Sequence, residues 1–484
     1  MRTGAGPAGV RPPGWRGRFP LVTGALIAAC GAIAACGGSA PASPPATHAP
    51  SPSASSPPAS ASASASPARP VAASVSVRLA VPAGLGGGAF ATPRTLRVPP
   101  GWTAQVWALV PGARMEAWTP QGDLLVSEPG NGRVVALTPR PGKPPASRTL
   151  LSGLTMPQGL AFARVGGRWV LYVGESEQID RYPWGTGGIS GSRTVIAGRL
   201  PDLDPSGDDV HREKDVAVAP DGTVYFDVGS SSNASPGDRT ATPPRGVIMA
   251  VSPEGKQLRV VEKGVRNGEG LAVAPDGSVW TAVNNRDNIS YPFHSAYGGN
   301  GNAFGQVIQA YVNDHPPDEV VPVTPGRDLG WPYCNPDQDR SQPAGSLADV
   351  PFVPDAVTNP GGRNLDCAAL PAVQVGIPAH SAPLGMSFLE GSAVPAPWSG
   401  GAVVAVHGSW NREPPRPPAV LWMAWNAAGH TLEPAVTLVG GFQNSDGSRW
   451  GRPADAVPGP DGALYVTDDS AGAVYRLAPP TPRR

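Results

Sequence analysis

Six segments of the chain repeat one pattern, which is a short apolar strand, a glycine-containing turn and then an alternating strand. Four of the turns are PQG or PDG tripeptides that begin at Pro120, Pro220, Pro275 and Pro460. Proline fixes φ and glycine accepts a positive φ, so these tripeptides favour tight hairpins. Six strand–turn–strand units without a convincing amphipathic helix predict an all-β fold, a six-bladed β-propeller around a central channel. An all-β sandwich or jelly roll is the alternative.

The interval between the fourth and fifth repeat units, about residues 283–379, is much the longest. We expect it to hold an insertion or long loops. It contains Cys334 and Cys367, the two cysteines that lie outside the N-terminal region. In an exported protein such a pair favours a disulfide, which here would pin an irregular excursion. Two reduced buried thiols are the alternative.

The N-terminal residues are typical of an export signal. Several arginines precede an apolar run over residues 21–35, which is short for a membrane span and ends in small residues. The run ends in IAAC at Cys36, a sequence that resembles a bacterial lipobox and predicts lipidation of that cysteine. IAAC also ends at Cys30, so the cleavage point stays open, and a plain secretory signal is the alternative.

The composition divides the chain into three parts. We expect residues 1–35 to be a lipoprotein signal peptide, residues 36–91 a disordered Ser/Ala/Pro-rich tether, and residues 92–484 the propeller. This arrangement predicts an extracytoplasmic protein that reaches the outer face of a bacterial membrane only through its lipid. The formal net charge is +0 and 15% of residues are charged, so no electrostatic footprint for nucleic acid is present.

Four cationic side chains recur in one register of the repeat. His211 and Arg266 each lie nine residues before the turn proline of their units, and Arg452 lies eight residues before its own. Matching the fifth unit brings His380 within about one residue of the same place. Residues that enter the innermost strands line one mouth of a propeller channel, so these four should converge. Solvated loop side chains are the alternative interpretation.

Such a cluster suits an anionic ligand, because guanidinium groups bind carboxylates in a bidentate manner. A histidine among arginines is biased toward its neutral form and can act as a base. Asp208 and Asp209 either orient His211 or belong to a solvated acidic loop.

Five motifs resemble the glucose/sorbosone dehydrogenase family, and its L-sorbosone dehydrogenase-like branch in particular. They are GVRNGEGLAVAPDG, GWPYC, HSAPLGMSF, HGSWNR and GRPADAVPGPDGALYVTDD, and the resemblance covers about residues 99–477. Members of this family are six-bladed propeller quinoproteins that use pyrroloquinoline quinone (PQQ). The resemblance therefore implies an exported PQQ-dependent dehydrogenase that oxidises an aldose or sugar aldehyde by hydride transfer to the quinone. The electron acceptor is unknown.

The resemblance also assigns roles to individual residues. His211 matches the base that removes the hydroxyl proton, and Arg266 matches the arginine beside the reacting quinone carbonyl. Asn267 matches a cofactor contact, and Gln158 matches a polar contact from an earlier blade. The expected cofactor-binding set is Gln158, Asn267, His380, Arg412 and Arg452, in which Arg412 and Arg452 hold the carboxylates of PQQ.

Aromatic residues are assigned from their own chemistry, because sugars stack on aromatic faces, and the metal is assigned from the resemblance. Trp331 and Tyr333 of GWPYC are expected to wall the substrate pocket, and Trp410 of HGSWNR to pack beneath the site. The resemblance implies Ca²⁺ beside PQQ, but Asn285 stands where the family has a carboxylate, and an amide oxygen binds Ca²⁺ more weakly. Glu269 is expected to oppose an anionic cofactor.

Two other functions stay open. A lactonase-type, metal-dependent hydrolase would need a metal cluster in the channel, for which Asp215, Asn284 and Asp455 are candidates without a common register. A non-catalytic propeller that binds a carbohydrate or a protein at the cell surface is the other alternative. The acidic stretch CNPDQD, residues 334–339, could bind calcium, although a solvated loop is the favoured interpretation.

Overall fold

The computed structural model describes residues 74–202, 211–299 and 301–480. The predictions for Cys30, Cys36, Asp208 and Asp209 lie outside the described residues, as do those for the signal peptide and residues 36–73. Within the described ranges no helix has the length and apolar character that a membrane span requires.

Six antiparallel sheets form the blades of a β-propeller, which confirms the predicted fold. Blade 1 contains Glu116–Trp118, Leu124–Glu128, Arg133–Arg140 and Lys143–Ser152. Blade 2 contains Leu160–Val165, Arg168–Glu175, Gln178–Gly185, Gly188–Ile189 and Thr194–Gly198. Blade 3 contains Val216–Val218, Val224–Val228, Val247–Val251 and Arg259–Lys263. Blade 4 contains Ala272–Val273, Val279–Val283, Asp318–Pro322, Val373–Ile377 and Ala348–Val350. Blade 5 contains Pro383–Phe388, Gly401–Val406, Ala419–Asn426, Thr431–Leu432 and Val436–Val439. Blade 6 contains Pro453–Pro458, Leu464–Asp468, Ala473–Ala478 and Thr103–Leu109.

Short elements complete the described structure. Two two-stranded sheets pair Val75–Arg78 with Thr95–Val98 and Cys334–Pro336 with Phe352–Pro354. One α-helical turn spans Gln309–Val312. The 3₁₀ turns are Gly88–Phe90, Pro129–Asn131, Pro236–Thr240, Gln338–Arg340, Pro360–Gly362 and Cys367–Ala369.

The turns found in the sequence set the geometry of the inner hairpins. The glycines of the four tripeptides, Gly122, Gly222, Gly277 and Gly462, have φ between 77° and 89°. Side chains other than glycine rarely adopt such values, so glycine permits the tight return from the innermost strand to the second. This agrees with the hairpins predicted from the PQG and PDG patterns.

The predicted tether ends earlier than residue 91. Val75–Arg78 pairs with Thr95–Val98, and Leu79 and Phe90 are buried in the apolar core that blades 5 and 6 share. The apolar run VSVRLAV at residues 75–81 supplies enough burial to order this segment, unlike the Ser/Ala/Pro tract that precedes it. The prediction is therefore wrong for residues 75–91, which are folded.

The long interval of the sequence belongs to blade 4. Its third and fourth strands, Asp318–Pro322 and Val373–Ile377, lie inside the interval, so the excursions are residues 284–317 and 323–372. We call the first of these the blade 4 insertion. The predicted disulfide joins Cys334 to Cys367, with 5.6 Å between their Cα atoms. It closes an irregular loop, as expected.

Removal of this disulfide should lower the stability of the protein. The bridge spans a sequence separation of 33 residues, and closing a loop of that size contributes roughly 3–4 kcal/mol. We expect Cys334→Ser/Cys367→Ser to melt at a lower temperature than the wild type. A reductant should lower the wild-type Tm toward that of the variant and leave the variant unchanged. Equal melting of both proteins under oxidising conditions would contradict this expectation.

Candidate functional site

Residues that precede the innermost strands of different blades meet at one mouth of the channel. Arg114 of blade 1 is bonded to Gln158 of blade 2, and both contact Glu269 of blade 4. A Cβ placed on Gly229 would contact His211 and Asn267 together. The register of the repeat therefore does bring the early-blade candidates together.

The ring of His211 is fixed in one tautomer. Its Nδ1 lies 3.2 Å from the carbonyl oxygen of Ser230 and 2.9 Å from the Ser230 hydroxyl. That hydroxyl donates its own hydrogen to the carbonyl of Ser232 at 2.8 Å. Both neighbours of Nδ1 therefore accept, so Nδ1 carries the proton and Nε2 is the basic nitrogen.

The surroundings of His211 keep this ring neutral. Burial lowers its pKa well below the ordinary value, and the positive charges of Arg266 and Lys214 lower it further. The hydrogen bond to Ser230 raises the pKa and offsets part of this decrease. An imidazole in this state can accept a proton at neutral pH without first losing one.

Arg266 is buried and clamped by protein acceptors. Its N–H groups donate to the carbonyl oxygens of Asn233 and Asn284 and to the side chains of Asn233 and Asp287, over 3.1–3.3 Å. A guanidinium has five donors, so these four bonds fix its plane. Burial lowers its pKa, and Asp287 opposes that effect. The result is a rigid cation next to His211.

Glu269 joins three blades. Its Oε2 accepts from Arg114 Nη2 at 3.1 Å and from Gln158 Nε2 at 2.7 Å, and its Oε1 accepts from Asn267 Nδ2 at 2.9 Å. Arg114 pairs with this carboxylate, so the expectation that Glu269 opposes an anionic ligand gains no support from the structure. The amide groups of Gln158 and Asn267 are turned toward Glu269, and the buried Oδ1 of Asn267 has no hydrogen-bond partner among the described residues.

Arg114 is a residue of the mouth that the sequence analysis missed. It also pairs with Asp469 at 3.0 Å, and Asp469 in turn accepts from His407 Nε2 at 2.8 Å. Arg452 completes this side of the mouth by donating to the carbonyl oxygen of His407. Arg114 stands just before the innermost strand of blade 1, in the segment ARMEAWTPQG of the repeat, but it is six residues before Pro120, so the nine-residue register of His211 and Arg266 does not point to it.

His380 and Arg412 are directed toward the blade 4 insertion. His380 Nε2 donates to the carbonyl oxygens of Val312 and His315, at 2.6 and 3.1 Å. Arg412 Nε donates to the carbonyl oxygen of Asn313 at 3.0 Å. The expected contacts of both residues with cofactor carboxylates gain no support from these partners. Their observed role is to hold the insertion against blade 5.

The aromatic residues differ from expectation in their exposure. Trp331 is 2% exposed, packs against Gly246 and donates its indole N–H to the carbonyl of Asn233, so it supports the Arg266 clamp instead of forming an open wall. Tyr333 is half-buried, with Arg239 over its ring. Trp410 is 69% exposed, so the prediction that it packs beneath the site is wrong.

The candidate metal ligands are occupied by protein groups. Asn285 Nδ2 donates to Glu319 Oε1 at 2.8 Å, and burial raises the pKa of Glu319 to about 8. Asp215 and Asp455 accept backbone N–H groups from neighbouring strands, and burial raises their pKa values to about 6 and about 7. The backbone carbonyl oxygen of Asn284 accepts a hydrogen bond from Arg266 Nη1. The channel carboxylates thus serve to cap strands.

A cavity of about 400 Å³ lies among the innermost strands, lined by Glu116, Asp215 and Asp455 with apolar residues between them. His211 and Arg266 do not line it. The carboxyl group of Glu116 is buried there, and its pKa is raised by burial and by Asp455, which favours the protonated form. The cavity therefore has weakly acidic walls and does not include the residues of the mouth.

Comparisons with known proteins agree with this architecture. A family model described as TrAA12-like matches residues 96–479. The PQQ domain of pyranose dehydrogenase from Coprinopsis cinerea, in its holo form, is similar over 80% of this chain and 97% of its own, with 19% identity and a TM-score of 0.62. The calcium structure of a Trichoderma reesei carbohydrate-active enzyme of family AA12 is similar over 78% and 96%, with 18% identity and a TM-score of 0.63.

A relative of greater sequence identity is less informative. An uncharacterized protein from Borreliella burgdorferi is 24% identical over 260 residues, which are 52% of this chain. The match spans 56% of the length of that relative. At these identities the solved structures show the fold.

The Arg114–Glu269 pair can be tested by a double-mutant cycle. Both side chains are largely buried, at 14% and 3% exposure, so Arg114→Met should lower the free energy of unfolding by roughly 3–5 kcal/mol by leaving a buried carboxylate without its cation. The double variant Arg114→Met/Glu269→Gln should lose less of the free energy of unfolding than the single variant Arg114→Met. The measurement is urea unfolding of each variant.

The exposed pair Arg148–Asp123 is a matched control. Its atoms lie 3.4 Å apart and Arg148 is 49% exposed, so its cycle should give a coupling below about 1 kcal/mol. Equal coupling in the two cycles would contradict the bracing role of Glu269.

Proposed function

The chain belongs to the TrAA12-like family, and from this membership and the geometry of the mouth we propose that it is a PQQ-dependent sugar oxidoreductase. The observation that carries the proposal is His211, a buried neutral imidazole whose Nδ1–H is committed to Ser230 and whose basic Nε2 belongs to a mouth built of guanidinium groups. The finer proposals are an aldose or sugar-aldehyde substrate and, within the family, the L-sorbosone dehydrogenase-like branch.

The donor set of the mouth fits PQQ, which carries three carboxylates and an ortho-quinone. Arg114, Arg266 and Arg452 supply buried or half-buried positive charge. Burial lowers the pKa of Arg452, and the neighbouring cations Arg449 and Arg114 lower it further, with Asp469 opposing. Cations held this close repel one another, so an anionic ligand among them is favourable.

The protein's own residues would supply a base, an orienting bond and electrostatic stabilisation. His211 Nε2 takes the hydroxyl proton of the sugar while Ser230 holds the ring through Nδ1. The guanidinium of Arg266, which Asn233 and Asp287 hold in place, stabilises the negative charge that develops next to it during the reaction. Bound PQQ would supply the two-electron acceptor for the hydride of the sugar carbon. Ca²⁺ is part of the proposal without assigned ligands, and the natural electron acceptor stays unassigned.

Two variants of the full mature chain test this function. With PQQ and Ca²⁺ added, the wild type should bind PQQ and reduce a dye only when sugar is present. His211→Gln should lower kcat by about 10²–10⁴-fold, the usual contribution of a positioned base, and should retain PQQ binding. His430→Gln is the matched control, because that histidine is 67% exposed and pairs with Asp276 at the surface. It should behave as wild type.

The pH profile gives a second criterion for His211. Because burial lowers the pKa of His211, its ring stays neutral as the pH decreases through 6.5. The value of kcat/KM should therefore not fall at that pH. Absence of PQQ binding would overturn the proposed function. Full activity of His211→Gln would overturn only the base assignment. Lactone hydrolysis that a chelator abolishes would favour the hydrolase alternative.

We also propose that the protein is exported and anchored by a lipid on Cys36. The N-terminal pattern supports this, and so does the Cys334–Cys367 disulfide, since such bonds persist in oxidising compartments. In cells fed a labelled fatty acid, Cys36→Ser should lose both the label and its membrane fraction. Cys30→Ser is the matched control and should retain both. The opposite result would assign the lipid to Cys30, and label on neither cysteine in the wild type would favour a plain secretory signal.

A further inference from the structure

Three potential metal ligands converge where the blade 4 insertion meets the segment after Cys334. His315 Nε2 lies 3.5 Å from Asp337 Oδ1 and 3.4 Å from Asp339 Oδ2. The three ligand atoms lie within 4.8 Å of one another. His315 and Asp337 are buried, and the side chain of Asp339 is 61% exposed. The group therefore has a closed side and a side open to solvent.

The orientation of the His315 ring turns Nε2 toward the two carboxylates. Its Nδ1 lies 3.0 Å from the carbonyl oxygen of Tyr311, which can only accept, so Nδ1 carries a proton. The ring is stacked on that of Tyr311, with 4.0 Å between the centroids and an angle of 11°. Nε2 is buried without a hydrogen-bond partner. Nε2 can therefore face the two carboxylates in one of two forms, as a second N–H that pairs with them or as a lone pair that shares a cation with them.

Hydrogen bonds hold the carboxylate of Asp337 in place. Its Oδ2 accepts from the Tyr311 hydroxyl at 3.1 Å, and its Oδ1 accepts from the backbone N–H of Asp339 at 2.9 Å. Metal-binding histidines usually donate their second N–H to a carbonyl, and ligating carboxylates are usually hydrogen-bonded in turn. Tyr311 fulfils both functions, one through its carbonyl oxygen and one through its hydroxyl.

We propose that His315, Asp337 and Asp339 bind a divalent transition-metal ion of the Zn²⁺ class. Zinc bonds to nitrogen and oxygen ligands are about 2.0–2.2 Å long, and a tetrahedral arrangement places two such ligands roughly 3.3–3.6 Å apart. The observed separations of 3.4 and 3.5 Å from Nε2 agree with that value. A water completes the coordination on the exposed side of Asp339. The imidazole nitrogen disfavours Ca²⁺ and Mg²⁺, which prefer oxygen ligands.

The ion would join two parts of blade 4 that side-chain hydrogen bonds also connect, from Tyr311 to Asp337 and from Gln338 to the carbonyl oxygen of Asp314. His315 ends the insertion, while Asp337 and Asp339 follow the strand Cys334–Pro336. The carbonyl oxygen of His315 accepts from His380, and that of Asn313 accepts from Arg412. The ion would thus stabilise the end of the insertion, whose carbonyl oxygens accept hydrogen bonds from His380 and Arg412. None of its ligands belongs to the proposed catalytic machinery.

Metal analysis of the full chain tests the site without cofactor or sugar. Protein depleted with a chelator should bind one Zn²⁺ per chain and show a saturable rise of Tm. Co²⁺ should give the visible absorption of a four-coordinate site. Asp339→Asn removes the exposed ligand without disturbing the stack of His315 on Tyr311, and should weaken Zn²⁺ binding by at least about 10-fold, as even loss of an outer-shell partner does.

Asp314→Asn is the matched control, because that side chain is 60% exposed on the same insertion and is not a ligand. It should bind Zn²⁺ as the wild type does. Equal Tm increases with Mg²⁺, unchanged binding by Asp339→Asn, or NMR signals of a protonated His315 paired with Asp337 in the Zn²⁺-supplemented protein would each overturn the proposal. PQQ binding is measured separately, so failure of the metal site leaves the proposed function intact.

Discussion

Closure of the ring by the pairing of Thr103–Leu109 with Ala473–Ala478 is the constraint on which the rest of the structure depends. It joins the two ends of the described chain within one sheet, so every blade has two neighbours. Only in a closed ring do residues that start the innermost strands of six blades face a common axis. The contacts among Arg114, Gln158, Glu269 and Asn267 follow from this geometry and not from proximity in the sequence.

The sequence predicted the blades and part of the mouth because both follow the repeat. His211 and Arg266 are each nine residues from a turn proline, so one structural rule places both. The hydrogen bonds of His380 could not be predicted, since its partners lie in an insertion that has no counterpart in the other units. The same reason explains why the acidic residues after Cys334 gave no clear signal until His315 was located.

Charge pairing was harder to predict than position. Glu269 alone suggested repulsion of an anionic ligand, because its partner Arg114 is 155 residues away in another blade. A pair of that separation leaves no local pattern in the chain. The end of the tether was misplaced for a different reason: the apolar run at residues 75–81 is short and follows a long polar tract, yet it is buried once the ring provides a surface for it.

The Arg114–Glu269 bridge has a consequence for how solvent reaches the mouth. Blades 1 and 4 face each other in a ring of six, so a salt bridge between them crosses the axis. With Gln158 and Asn267 bonded to the same carboxylate, the crossing forms a partition. We expect this partition to lie between His211 and the cavity beside Glu116, whose lining does not include His211. A ligand at His211 would then enter and leave from the mouth side of the channel.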